Sequence, residues 1–473
     1  MYRDLKLYID GEWIEGSDTI DVINPAIGES LGKLPLATPA ELDLALQSAS
    51  TAFATWRTVS PVERGRVLRR AADLIRERVD RIASLLTLEQ GKVLAEARSE
   101  VLASAEIFDW FAEECRRSYG RVIPSRDART RQFVVLEPVG PVAAFSPWNF
   151  PAVAPARKVA AALAAGCSCI LKPSEETPAT ALELALALED AGLPKGTLNV
   201  VFGVPDIVSR HLIASEIIRK VSFTGSVGIG KHLARLAADG LKRVTLELGG
   251  HAPVVVCADA DVEQAARLTA AAKFRNAGQV CISPSRFFVH QDVQERFLDA
   301  FVGAARDLKT GDGMAGDSTM GPVANERRLS AMNTFLEDAV EKGGILQCGG
   351  QHTGNRGFFF EPTVISDVPG DALIMNNEPF GPIAPVAPFA DLDELLSRAN
   401  GLKYGLAAYV FTQSTASATR LSNGIEAGMI GVNHLAISHA ETPFGGVRDS
   451  GMGHEGGIEG LEAYMQRKFI SQI

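Results

Sequence analysis

An α/β fold, built on parallel sheet covered by helices on both faces, is predicted by three observations. From Gly140 onward, short apolar runs alternate with Ala- and Leu-rich stretches of helical period, the pattern of parallel strands joined by crossover helices. A second series of the same kind starts near Pro253-Val254-Val255-Val256. At 473 residues the chain is too long for one ordinary core, so two or more domains are expected.

The elements follow in order. Leu5-Lys6-Leu7-Tyr8-Ile9 alternates, Asp10-Gly11 turns, and Glu12-Trp13-Ile14 returns, a β-hairpin. From Thr38 to Gly91 the pattern is helical: Thr38 with Glu41 and Ser60 with Glu63 read as capping boxes, and Val67, Leu68, Ala71, Leu74, Ile75 and Val79 fall at helix spacing. A further long helix is expected over Val93 to Tyr119. Arg121 to Glu137 reads as extended, either an ordinary hairpin or an arm that pairs with another subunit. Strands are expected at Val142–Phe145, Ser168–Leu171, Leu198–Phe202 and Lys220–Phe223, with helices near Pro155–Ala165, Pro178–Ala191, from Asp206, and over Val227–Ala238. The second series carries helices at about 262–276, 292–308, 326–342 and 391–399. Ligands of such sheets lie at the carboxyl ends of the strands.

Composition narrows the function classes. A net charge of −10 argues against nucleic acid or an anionic membrane as partner. The longest nearly apolar run, Val159 to Leu171, falls short of the ~20 residues of a membrane span, and the N-terminus carries no apolar signal core. A cytoplasmic location is therefore expected. The six cysteines form no CxxC and no cluster with zinc spacing, so free thiols and no metal site are expected. Cys167 and Cys169 read as small core residues.

Several strand ends carry chemistry. Phe223-Thr224-Gly225-Ser226, followed by Gly228 and Gly230, opens a helix; it reads equally as a phosphate cradle or a tight turn. Lys172 and Glu175 end another strand. There they either hydrogen-bond ribose hydroxyls, the carboxylate favouring NAD over NADP, or form a surface ion pair. Asn149, held between Pro147 and Pro151, is an oxyanion donor or an Asx-turn. Glu247 sits in an otherwise apolar strand, which makes it a general-base candidate. Cys281, in Asn276-Ala277-Gly278-Gln279-Val280-Cys281-Ile282, is a nucleophile or a filler. Arg157 and Arg275 lie in stretches of helical pattern near these residues; each is a fork for a carboxylate or a structural ion-pair partner.

Taken together these stretches resemble the aldehyde dehydrogenase superfamily. Ser146–Pro151, Lys172–Glu175, Phe223–Ser226, Glu247–Gly250, Gly278–Cys281, Glu378–Pro382 and Pro443–Gly446 match in order, and the resemblance covers essentially the whole chain. It implies a Rossmann-type NAD-binding domain (1–120 and 139–249), an α/β catalytic domain (250–447), and a small oligomerisation arm with a C-terminal segment (121–138 and 448–473). It implies Cys281 as nucleophile, Glu247 as general base and Asn149, with the backbone N–H of Cys281, as oxyanion donor. Cofactor contacts map to Pro147, Trp148, Lys172, Ser174, Glu175, Gly203, Phe223, Thr224, Gly225, Ser226, Gly249, Glu378 and Phe380, with Glu378 on the nicotinamide ribose. NAD is the expected cofactor, with NADP possible.

Within the superfamily the chain looks most like succinate-semialdehyde and 2-oxoglutarate-semialdehyde dehydrogenases. Arg157, Arg275 and Ser438 fall where such enzymes hold the substrate's carboxylate. A homodimer or homotetramer is implied. Two departures stand out. Ser283 occupies the place of a second cysteine that serves some members as a redox switch, and Asn433-His434-Leu435-Ala436-Ile437 differs from the succinate-semialdehyde pattern. The competing readings are glutarate semialdehyde or broad aldehyde specificity and, in a different class, a non-catalytic nucleotide-binding protein.

Overall fold

The alternation that begins at Gly140 forms the middle of an eight-stranded sheet. The computed structural model describes residues 2–473. Five parallel strands stand in the spatial order Arg243–Leu248, Lys220–Gly225, Val142–Phe145, Cys169–Lys172, Leu198–Val200. Their near-continuous apolar sequence follows from burial on both faces. The chain winds outward from Val142–Phe145 in one direction, then returns to its other side with Lys220–Gly225. The crevice between those two strands is the point where strand order reverses, the place where such sheets bind ligands. The N-terminal hairpin, Leu7–Ile9 with Glu12–Ile14, extends one edge antiparallel, and Gly451–Met452 closes the other.

A second sheet starts as soon as the first ends. Strand Arg243–Leu248 passes through Gly249-Gly250 into Ala252–Val256, which lies inside a seven-stranded sheet. Its order is Ile345–Cys348, Thr363–Ser366, Ile383–Phe389, Pro284–His290, Ala252–Val256, Ala407–Phe411, Met429–Val432, parallel except for the first pair. The short link joins the carboxyl end of Arg243–Leu248 in the first sheet to the amino end of Ala252–Val256 in the second.

Helix starts follow the capping chemistry. Thr38 and Glu41 make the full reciprocal box, and Ser60 accepts from the Glu63 N–H. Several boundaries differ from the sequence expectation. The long helix is Leu94–Glu114, where a 3₁₀ turn, Cys115–Arg117, takes over ahead of Gly120. Strand Leu198–Val200 is shorter because Phe202 gives its carbonyl to the Ala37 N–H at 2.7 Å. An antiparallel pair, Asp18–Asn24 with Glu29–Leu36, has no counterpart in the sequence expectation: a register shift at Val22/Ile23 with Gly32 and Pro35 on the partner strand hide its alternation. The extended stretch after Gly120 is more than a hairpin. Arg131–Pro138 pairs on one side with Arg121–Ile123 and on the other with the C-terminal strand Met465–Gln472. Among the described residues no helix is long and apolar enough to cross a membrane.

Candidate active site

Cys281 is presented by a strained loop. Helix Val262–Phe274 ends, and the backbone then takes three left-handed residues: Asn276 (φ 51°), Ala277 (φ 50°) and Gly278 (φ 71°). Arg275 therefore lies in a 3₁₀ turn and not in the helix to which its alanine-rich surroundings assign it. Only glycine fits at 278, because a Cβ there would meet the Gly381 carbonyl oxygen at 2.1 Å. The loop is held by polar contacts on every side. The Asn276 N–H donates to Glu96 (2.9 Å), its Nδ2 donates to the Asn149 carbonyl (3.0 Å), and Gln279 bridges back to the Asn276 carbonyl and out to the Ala324 N–H.

The same network fixes Asn149. Its Nδ2 donates to the Gln279 carbonyl at 3.0 Å, which engages one of its two N–H bonds and ties it to the Cys281 loop. The buried Lys92 ammonium donates to the Asn149 carbonyl (2.8 Å) and pairs with buried Glu100, whose other oxygen accepts from the Ala152 and Val153 N–H groups.

Glu247 lies at the carboxyl end of strand Arg243–Leu248, 2 % exposed, and neither carboxylate oxygen has a hydrogen-bond partner. Burial holds it well above the ordinary glutamate range, the Glu455 charge pushes the same way, and Lys158 and Arg157 pull back. Glu455 is buried too, accepting from Lys158 Nζ and from Ser222 Oγ at 3.1 Å, while Lys158 also donates to Thr224 Oγ1 at 2.6 Å. The Thr224 hydroxyl is thus turned toward this pair. Burial pushes the Cys281 thiol up to about 12; Glu378 and Glu247 add to the effect and Arg157 opposes it.

The two arginines differ in depth. Arg157, on helix Val153–Ala165, is buried; its Nη2 donates to Ser438 Oγ at 2.9 Å, its guanidinium lies 4.4 Å from the Phe444 ring centre, and its Nη1 has no partner. Arg275 is exposed, 5.7 Å from the Phe150 ring centre. Phe150, Cys281, Leu435 and Ile437 all pack, partly buried, against the second sheet's core. Of the two arginines, one guanidinium is thus enclosed and the other faces solvent.

On the other side of Cys281 lies the crevice at the strand reversal. Ser226 caps helix Val227–Asp239 without a side-chain hydrogen bond, and a Cβ at Gly228 would meet nothing within 4 Å. That leaves the first-turn N–H groups open to an anion. Lys172 and Glu175 pair at the neighbouring strand end, Lys172 also donating to the Pro173 carbonyl (3.0 Å), and Ser174 donates to Glu176. Gly203 (φ 159°) turns the chain past Val208. Trp148, after Pro147, meets Phe380 (φ 46°) edge-on at 5.5 Å. The Glu378 carboxylate lies over Gly249, where any side chain would collide with it, and its Oε1 is buried without a partner. An open helix N-terminus, a strand-end ion pair and an orphaned acceptor near Cys281 suit a dinucleotide reaching from Ser226 to Glu378.

The family model described as the aldehyde dehydrogenase family matches residues 13–470. The chain belongs to the aldehyde dehydrogenase family. It is similar to 4-(hydroxymethyl)benzenesulfonate dehydrogenase TsaD1 of Comamonas testosteroni, 49 % identical over 100 % of this chain and 99 % of that one. It is also similar to the succinate-semialdehyde dehydrogenase [NADP(+)] GabD of Escherichia coli strain K12, 41 % identical over 99 % and 98 %. Among solved structures, succinate-semialdehyde dehydrogenase from Burkholderia pseudomallei superposes with a TM-score of 0.97 at 42 % identity, covering 99 % and 98 %. The enzyme is an NAD(P)-dependent oxidoreductase acting on an aldehyde.

Sequence reasoning missed several residues around this dehydrogenase's site: Lys158 with Glu455, Lys92 with Glu100, and Lys273 beneath Glu378. A signal existed for the first. Helix Val153–Ala165 is apolar and buried almost throughout, yet carries Arg157 and Lys158 side by side. A charge in such a helix needs a partner or a ligand.

Proposed function

We propose that the enzyme oxidises an aldehyde bearing an anionic group at its far end to the acid, with succinate semialdehyde the favoured substrate. One observation carries this reading: the buried Arg157 guanidinium, already bonded to Ser438, keeps a buried Nη1 donor without a partner and lies close enough to Glu247 and Cys281 to act on both. A buried cation with a free donor suits an anion. Exposed Arg275, six residues before Cys281, adds positive charge on the solvent side.

The residues divide the reaction as follows. The Cys281 sulfur adds to the aldehyde carbon as its proton leaves, and the new C–O⁻ faces the second N–H of Asn149 and the Cys281 backbone N–H. NAD or NADP, held by the residues from Ser226 to Glu378, would supply the hydride acceptor that takes this thiohemiacetal to the thioester. Glu247, as the carboxylate, then takes a proton from a water that attacks the resulting thioester, releasing the acid and the Cys281 thiolate. Glu175 beside Lys172 supports NAD over NADP, since a carboxylate accepts from a ribose hydroxyl and repels a 2′-phosphate.

A second reading places a sulfonate at the far end of the substrate. The 49 % identical relative named for a benzenesulfonate substrate favours it, as does the departure of Asn433–Ile437 from the succinate-semialdehyde pattern. Both readings keep the anion on Arg157. A kcat/KM panel of succinate, glutarate and 2-oxoglutarate semialdehydes, 4-formylbenzenesulfonate and butanal, with each cofactor, separates them. If butanal matches the best anionic aldehyde, the anion reading is wrong.

The same reading makes the three-stranded arm a subunit contact. Val122 and Phe469 are apolar and solvent-facing on it, 85 % and 57 % exposed, as expected of a surface that a second copy covers. Light scattering of the purified chain should give a dimer or tetramer; a monomer would refute this.

A further inference from the structure

We infer that Lys273 is a positioning residue for Glu378: its buried ammonium favours the ionised form of the Glu378 carboxylate, the form that accepts from the cofactor ribose. The inference rests on the reading of Glu378 as the nicotinamide-ribose contact.

Lys273 occupies the last turn of helix Val262–Phe274, two residues before the left-handed turn that presents Cys281. It is 0 % exposed, and Nζ has no hydrogen-bond partner. Oε1 of Glu378 is buried and without a partner as well. Both side chains line one narrow pocket between Gly250 and Gly278 and beside Ser283 and Ser285. A buried ammonium with nothing to bond is costly unless a nearby charge compensates it.

The other charged or titratable groups facing the pair have different tasks. The Gly250 N–H donates to Glu378, and Arg328, from helix Glu326–Glu341, also pulls it toward its charged form, while donating to the Pro379 carbonyl and lying over the Phe380 ring. His251 faces Lys273; it is bound to Ser285 (2.9 Å) and the Ile374 carbonyl (2.9 Å), and burial holds it well below its ordinary range and so neutral. Cys281 and Tyr404 also face Glu378, and near neutrality neither carries charge. Lys273 is the cation in this group with no other bond.

Burial moves the two partners toward one another, Lys273 down to about 7 and Glu378 up to about 8. Each pulls the other back toward its charged form. The sign follows. Without the ammonium, Glu378 gives up its proton only at higher pH, and a protonated Glu378 accepts hydrogen bonds from ribose poorly. Cofactor affinity in the variant is therefore lost sooner as pH falls.

The test measures the Kd of NADH by its fluorescence enhancement on binding to the full chain, across a pH series spanning neutrality. The parent is compared with Lys273→Met, Lys273→Arg and Glu378→Gln. Lys273→Met is expected to weaken binding about tenfold at neutral pH, the scale of one charged hydrogen bond, and to move the pH profile upward. Lys273→Arg restores both. Glu378→Gln binds weakly with a flat profile. A Lys273→Met profile that overlays the parent, while Glu378→Gln is weak and flat, overturns the inference. Glu378→Gln binding as tightly as the parent overturns the ribose reading beneath it. If Lys273→Met does not fold, Lys273→Gln removes the charge while keeping a polar group, and its profile is compared with the parent's in the same way.

Discussion

Replacing Arg157 by methionine tests the substrate reading most sharply. The substitution keeps much of the stem and removes the guanidinium. In the protein that group is buried, and Nη1 has no partner to lose when substrate leaves. An anion bonded there gains a charge-assisted hydrogen bond, worth about 1.5–3 kcal/mol. That is roughly a tenfold to hundredfold drop in kcat/KM. The loss has a second component. Arg157 also opposes the upward push on Cys281 and Glu247, so its removal slows turnover of every aldehyde. The informative quantity is therefore the ratio of kcat/KM for succinate semialdehyde to that for butanal, in which the general component cancels. Arg157→Met should lower that ratio about tenfold or more. The same change at exposed Arg275 should lower it by no more than about fivefold, the scale of a solvated pair. An unchanged ratio in Arg157→Met would refute the anion clamp.

Other outcomes follow from the same geometry. Glu247→Gln should retain one rapid equivalent of NADH per site while steady turnover falls on the order of 10²–10⁴-fold. In the parent, turnover limited by thioester hydrolysis should decline as pH falls through the raised Glu247 titration, since only the carboxylate is a base; a rate that is flat with pH well above the ordinary glutamate range would contradict this. Lys92→Met leaves Glu100 as an unpaired buried charge and should cost about 3–5 kcal/mol in urea unfolding, with less than about 1 kcal/mol counting against the pair's structural role. Glu175→Gln should raise the NADP⁺ to NAD⁺ ratio of kcat/KM roughly tenfold, the scale of a partly solvated charge repulsion of about 1–2 kcal/mol; no change would show that this carboxylate does not face the 2′ position.

What can be read from the sequence is local. Glu247 stands out because a carboxylate in an apolar strand is conspicuous, and Phe223–Ser226 because small residues at a strand end suit a tight approach to backbone. What cannot be read are pairings between residues far apart in the chain. Lys92 meets Asn149, and Lys158 meets Glu455 across nearly 300 positions; no periodicity encodes such contacts. The helical period of Ala270-Ala271-Ala272-Lys273-Phe274 runs up to Arg275 and assigns it to the helix. The three left-handed residues that follow are announced only by Gly278. The family resemblance supplies the roles of these residues; the buried scaffold holding them is visible only in three dimensions.

The contact of Gly278 with Gly381 also bears on how such a site diversifies. The loops carrying the sulfur and Glu378 meet there along bare backbone, so no side chain can be tried at that seam without prising them apart. The segment Asn433 to Ile437 is instead half open to solvent and hangs between Met429–Val432 and the Pro443–Gly446 turn. Variation can accumulate on that segment while the Cys281 loop stays in register. A lineage built this way can change its surface chemistry by redecorating a single loop.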